Sequence, residues 1–320
     1  MRKRWVRRVA LSCVVLASAR AHAQGGYYNL DAGRPTRVED ASPVPRFELE
    51  VQLPSLRLEW LAGGAHRWRM EPKLAYGVAP FTDIELRAPF IVVDSPEPDV
   101  PVRSGVGGLA IGVLREVTLE RGVWPALAIA AEWIAPVGGL SAPVGSYAVK
   151  GIATRTFTFA RAHVNAAYGT YSAKVNECAR PRPINVPAPP GCPANAVPFD
   201  PPCDVAPVGG VAFSVARCGV AQRVEPQEFD ATRSVGMRWL TGVGIDRAFA
   251  LSSTLVSADV VAERFAGLFA RTDVSAELGV RRQWSPQLVL DVGVARHFTG
   301  LLRSNSVTLG ATYGFALPRR

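Results

Sequence analysis

Along most of this chain apolar and polar side chains alternate one by one, and few patterns restrict a fold as tightly. Even positions from 68 to 78 read Trp68, Met70, Pro72, Leu74, Tyr76 and Val78, while the odd positions beside them are Arg67, Arg69, Glu71, Lys73, Ala75 and Gly77. Successive side chains of a strand point to opposite faces, so this spacing predicts a strand with one apolar and one charged or small face. The next segment repeats it. Ile84, Leu86, Ala88, Phe90 and Val92 oppose Asp83, Glu85, Arg87 and Pro89, and Ala79-Pro80-Phe81-Thr82 forms the turn between the two.

Similar alternation occupies 127–133, 164–168, 272–280, 288–294 and 307–317, with weaker versions over 47–60 (bulged at Pro54), 106–117, 147–158, 234–245 and 249–260. The total is about 12 strands of about 9–13 residues, the length a tilted strand needs to cross a bilayer. Alternation alone does not tell which face is covered. A soluble barrel or sandwich buries the apolar face, whereas a membrane barrel turns it to lipid and keeps a polar lumen.

Three features favour the membrane. Short links near 79–82, 118–123, 159–160, 246–248 and 283–286 alternate with longer ones near 93–105, 136–146, 173–233 and 261–271. Aromatics stand at segment ends (Trp60, Trp68, Phe81, Trp124, Phe159, Phe249 and Trp284), where interfacial girdles are expected. The C-terminal strand carries Tyr313 and Phe315 near its end, in the manner of the signal read by the barrel-assembly machinery. The expected fold is all-β: a transmembrane antiparallel β-barrel of about 12 strands in an up-and-down meander, with a long Cys/Pro-rich outer loop.

Charge and the N-terminus agree with export. Residues 1–23 read as a signal peptide, with a basic start, an apolar stretch from Val9 to Ala19, and Ala21-His22-Ala23 before the cut. Of the 36 basic residues, six precede Gln24, leaving 30 against 27 acidic ones and reducing a net charge of +9 to +3. That balance argues against a nucleic-acid partner. The expected location is the outer membrane of a Gram-negative-type bacterium. Residues 24–45 form a periplasmic N-terminal segment that hangs there or tucks into the lumen, and 46–320 form the barrel.

The insertion at 173–233 is too rich in proline for ladder-forming strands, and it holds Cys178, Cys192, Cys203 and Cys218. An even set of cysteines in an exported chain reads as two disulfides of undetermined connectivity. No pair has the short spacing of a zinc module.

Lumen-lining positions follow from the polar face: Arg67, Arg69, Lys73, Asp83, Glu85, His163, Asn165, Asp273, Glu277 and Asp291. Opposite charges there either pair with one another or orient solutes in transit. No Gly-x-Ser-x-Gly or His-Glu-x-x-His motif occurs, His66, His163 and His297 stand singly, and Asp94, Glu97 and Asp99 read as a solvated loop tip. No enzyme, metal or cofactor is expected.

The run Tyr76-Gly77-Val78-Ala79-Pro80-Phe81-Thr82-Asp83-Ile84-Glu85-Leu86-Arg87-Ala88-Pro89-Phe90 resembles the strand–turn–strand of outer-membrane barrels named for the MetA pathway of phenol degradation. Pro136-Val137-Gly138 and Gly105-Val106-Gly107-Gly108-Leu109 are similar to the same family. The resemblance implies a porin-like transporter passing small solutes, hydrophobic or aromatic ones among them, with membrane lipid and the assembly machinery as its other partners. Two further readings stand beside it: a structural or adhesive barrel with a partner-binding outer loop, and an exported soluble β-protein.

Overall fold

The computed structural model describes residues 28–30, 34–61, 64–94, 102–176, 231–266, 271–299 and 303–316. The alternating segments become fourteen strand pieces. They are β1 (Glu48–Leu61), β2 (His66–Ala79), β3 (Thr82–Arg87), β4 (Phe90–Asp94), β5 (Arg103–Val106), β6 (Leu109–Thr118) and β7 (Ala126–Ala135). The chain continues through β8 (Ser146–Thr156), β9 (Arg161–Asn176), β10 (Ala231–Phe249), β11 (Thr254–Ala266), β12 (Arg271–Gln283), β13 (Leu288–His297) and β14 (Ser304–Ala316). Two units divide the chain, one of residues 1–172 with 235–320 and one of 173–234. The first is the barrel.

Two pairs of pieces are single crossing strands, which makes the barrel twelve-stranded and antiparallel. β3 and β4 lie end to end along β2 in one register, Lys73 opposite Arg87 and Met70 opposite Phe90. Pro89 has no N–H to give the ladder, so the strand expected over 84–92 is interrupted there. β5 and β6 meet at Gly107-Gly108, where the register slips by one between the Phe90–Val106 and Arg87–Ala110 pairs. Gly108 has φ +126°, a conformation that disfavours a side chain, and this bulge divides the segment expected over 106–117. The expected bulge at Pro54 is present: the pairing of β1 slips between Leu53 and Leu56.

The ring closes because β1 pairs with β14 on one edge and with β2 on the other. Glu48 faces Ala316, so the first and last strands begin and end at the same mouth. That mouth also carries the short links at 80–81, 119–125, 157–160, 250–253 and 284–287. At the opposite mouth the link between β11 and β12 is only 267–270, shorter than expected, because β11 runs on to Ala266 and starts at Thr254 rather than 249. Residues 1–27 and 177–230, which include the expected leader and Cys178, Cys192, Cys203 and Cys218, lie outside the described residues.

The distribution of side chains is the reverse of a soluble protein's. Leu278, Val292, Ile129 and Trp133 are exposed on the outer face, and so is every aromatic assigned to a girdle. Gln52, Asp83, Ser257, Ser275, Glu277 and Thr312 are buried on the inner one. A soluble β-protein would not leave a continuous apolar wall in water, so the soluble alternative is set aside. Val292 lies midway along β13 on the lipid face. Val292→Arg should cost about 2–4 kcal/mol of barrel stability. The expected readout is a lower temperature for heat-dependent gel mobility, and an unchanged midpoint would place this face away from lipid.

Candidate functional site: the lumen and the segment that crosses it

Of the two placements open for 24–45, the described residues take the lumen: Leu30 and 34–44 lie inside the barrel, with exposed Tyr28 and Arg46 at its mouth. Leu30 packs on Leu255 and Val289 near the short-link mouth, and Ala41 packs on Leu114, Ala126, Ala128 and Ile152. Val38 and Ala41 are wholly buried. The segment then returns to the same mouth and enters β1, with Phe47 N donating to Gly77 O at 2.8 Å.

Between bridges at Arg34 and Arg46 the segment bends and joins no strand, so its N–H groups need other acceptors, and wall side chains supply several. Val38 N donates to Asp259 Oδ2 at 2.7 Å, Ala41 N to Thr154 Oγ1 at 3.0 Å, and Val44 N to Asp83 Oδ2 at 2.7 Å. Asn165 serves both sides of one residue: its Oδ1 accepts from Glu39 N and its Nδ2 donates to Glu39 O, each at 2.9 Å. Lys150 pairs with the Glu39 carboxylate, and Arg37 Nη2 reaches Glu263 Oε2 at 2.9 Å.

A buried relay anchors the middle of the segment. Asp246 Oδ2 lies 2.7 Å from His163 Nε2, and His163 Nδ1 lies 3.0 Å from Thr154 Oγ1. A carboxylate only accepts, so the tautomer with hydrogen on Nε2 satisfies the whole chain, and Thr154 then donates to Nδ1 while accepting from Ala41. Arg161 bridges Asp246 at 2.8 Å and Asp40 at 3.3 Å. Asp40 in turn accepts from Leu30 N and Ser42 N. Burial pushes the Asp40 carboxyl up to about 6, although Arg161 and His163 pull it down. Hydroxyl, imidazole and carboxylate are the ingredients of a nucleophile, but the buried Thr154 oxygen is capped by Ala41 N, so the relay serves the segment.

Room for the segment comes from inward glycines. A β-carbon at Gly279 would overlap Pro35, one at Gly293 would lie 2.6 Å from Pro35 O, and one at Gly242 would lie 2.7 Å from Val38 Cγ2. A strand glycine often marks the close approach of another backbone, and here the segment is what approaches.

The expected lumen residues fall into two groups. Asp83, His163 and Asn165 touch the segment directly or through the relay, and Asp291 and Arg34 both border the position of Gly310. The others belong to ion pairs along the wall. Lys73 pairs with Glu85, Arg67 with Glu59, and Arg69 with Glu71 at 2.7 Å; Arg57 stands 3.6 Å from Glu277, and Arg271 3.0 Å from Asp273. Arg87 joins Glu71 and Glu132 in the same network. Sequence reasoning missed Asp40, Thr154, Arg161, Asp246, Asp259 and Glu263. The alternation of β12 and β13 did place Gly279 and Gly293 inward, and that was the available signal.

No protein-family profile and no curated protein matches the chain. Among solved structures, the COG4313 outer membrane channel from Pseudomonas putida F1 is similar over 86% of this chain and 98% of that one, with TM-score 0.57 and 10% identity. The translocator domain of autotransporter NalP from Neisseria meningitidis aligns over 84% and 89% with TM-score 0.49 and 9% identity. The NanC porin aligns over 81% and 98% with TM-score 0.46 and 8% identity. The first of these likenesses supports the barrel fold, and the identities are too low to carry more.

Gly279→Val fills the space of Pro35 without touching the lipid face. The barrel should still assemble, while the segment becomes open to added protease. Protection equal to wild type would mean that Pro35 does not need that space.

The Asp40 carboxyl, raised in the seated segment, takes up a proton on seating. Seating is therefore strongest below the ordinary value of 3.8 and weakens as pH rises through about 6, by about 3 kcal/mol in all. Protease access to residues 28–45 should increase between pH 4.5 and pH 7.5, and Asp40→Asn should flatten that change. Release on acidification would reverse the assigned sign.

Proposed function

We propose that this chain is an outer-membrane channel for the passive passage of small molecules, and that the N-terminal segment must shift from its seat for solutes to pass. The observation that carries the reading is the combination of an apolar outer wall with a charged, closed inner one. With strands about 4.8 Å apart and tilted about 40°, twelve of them enclose a backbone cylinder roughly 24 Å across. Inward side chains and the segment fill part of that width. The segment is held almost entirely by side chains and not by the barrel's ladder, so releasing it leaves the strand pairing intact. The role is conduction without catalysis.

Two finer readings belong to the same proposal. The 76–90 hairpin, the turn at Pro136-Val137-Gly138 and the Gly107-Gly108 bulge support placing the chain among the MetA-named barrels. Here Leu140 N donates to Val106 O at 3.1 Å, and a β-carbon at Gly138 would overlap that same carbonyl. The adjoining rings of Tyr313 and Phe315 at the end of β14, 4.6 Å apart, suit a strand offered to the assembly machinery after removal of residues 1–23.

A cross-link tests the need for movement. A β-carbon at Gly244 would lie 3.2 Å from Val38 Cβ, near the separation a disulfide requires. Val38→Cys/Gly244→Cys should lose solute influx in proteoliposomes when oxidised and regain it on reduction, with wild type under the same reductant as control. Undiminished influx in the oxidised variant would show that solutes pass a seated segment.

A further inference from the structure

The segment brings two arginines into the lumen, and the wall receives both in sites built from its own residues. Arg34 is 3% exposed. Its Nη1 donates to Gln52 Oε1 at 3.3 Å, Thr312 Oγ1 at 3.4 Å and Ala311 O at 3.5 Å, and its Nη2 donates to Leu53 O. A β-carbon at Gly310 would meet Asp291 Oδ1 at 2.5 Å and Arg34 Nη2 at 2.8 Å, so carboxylate and guanidinium converge over a position without a side chain. Arg281 flanks the site, donating to Thr312 at 3.3 Å. The acceptors named here belong to β1 and β14, and Asp291 of β13 stands beside them, so wall strands supply this pocket.

The second site has more acceptor capacity than its occupant uses. Arg37 takes Glu263 Oε2, and Arg238 reaches the other oxygen of that carboxylate at 3.4 Å. Two inward positions from Glu263 on the same face, beyond Val261, Asp259 stands directly across the ladder from Glu277. Like charges placed so repel, and a buried carboxylate without a donor is costly. Glu277 is 3% exposed, yet neither of its oxygens accepts a hydrogen bond, and nor does Asp259 Oδ1. Arg57 Nη2, at 3.6 Å, is too far to donate to Glu277. Buried acceptors left over in this way mark a place for a cation.

We propose that these are guanidinium- or ammonium-binding stations of the lumen, occupied in this structure by the chain's own Arg34 and Arg37, and that small organic cations compete for them. The proposal rests on the channel reading and names its preferred class of solute. A planar cation with several N–H donors reproduces what Arg34 offers, and a neutral planar donor such as urea lacks the charge that Asp291 answers.

The test uses the mature full-length protein, methylguanidinium as probe and urea as its neutral counterpart. Arg34→Gly empties the first station, so millimolar methylguanidinium should raise its unfolding midpoint toward wild type with a saturating dose response, while urea should not. In vesicles, wild type should admit methylguanidinium at least about tenfold faster than urea. An absent rise, or an equal rise with urea, overturns the stations. Rescue with no influx of any solute would remove the channel reading and leave the stations standing; influx without rescue or preference would do the opposite. If Arg34→Gly does not assemble, the wild-type reversal potential in a salt gradient decides, a cation preference supporting the proposal and its absence overturning it.

Discussion

Every backbone N–H and C=O of a chain in hydrocarbon must find its partner within the protein, and the pairing of β1 with both β14 and β2 meets that demand. With no free edge, the sheet has only an outside and an inside, and the period of two assigns each residue to one of them. Lipid takes the apolar set. The polar set is left facing itself across a confined space, where an unpaired charge is expensive. The ion pairs of Arg57, Arg67, Arg69, Lys73 and Arg87 with their neighbouring glutamates follow from that confinement.

The N-terminal segment extends the same logic. It enters a polar interior and needs acceptors for its backbone, so the wall offers carboxylates, a hydroxyl and an amide where the segment passes. It needs space, which the inward glycines of β10, β12, β13 and β14 provide. Each seat bond is a net contribution of about 1 kcal/mol, rising to a few where a buried partner would be left unmet. A grip made of many modest bonds can be firm and still be released without cost to the ladder, as a movable closure requires.

The barrel was legible in the sequence because one short-range rule, alternation, reports on every strand independently. The twelve crossings, the bulge at Pro54 and the inward side of Lys73, Asp83, Asn165 and Asp291 all follow from it. The breaks were softer signals. Pro89 leaves the facing of its strand unchanged, whereas the Gly107-Gly108 bulge shifts it by one residue, so Val106 and Ile111 share a face. The seat of the segment was not legible. Asp40, Arg161 and Asp246 are far apart in sequence and meet only after the barrel has closed, and residues 28–46 carry no periodicity to say where they lie. Alternation put Gly279 and Gly293 on the inner face, and only the structure shows that Pro35 fills the space there.

Single-channel conductance tests most directly whether the chain's own N-terminal segment closes the lumen. Wild type should be compared in planar bilayers with a variant whose residues 28–45 are replaced by a glycine–serine linker of equal length. The expected result is a small or intermittent conductance for wild type and a larger, steady one for the variant, with both barrels equally heat-modifiable. Equal conductance from two well-assembled barrels would contradict it, because the segment would then close nothing.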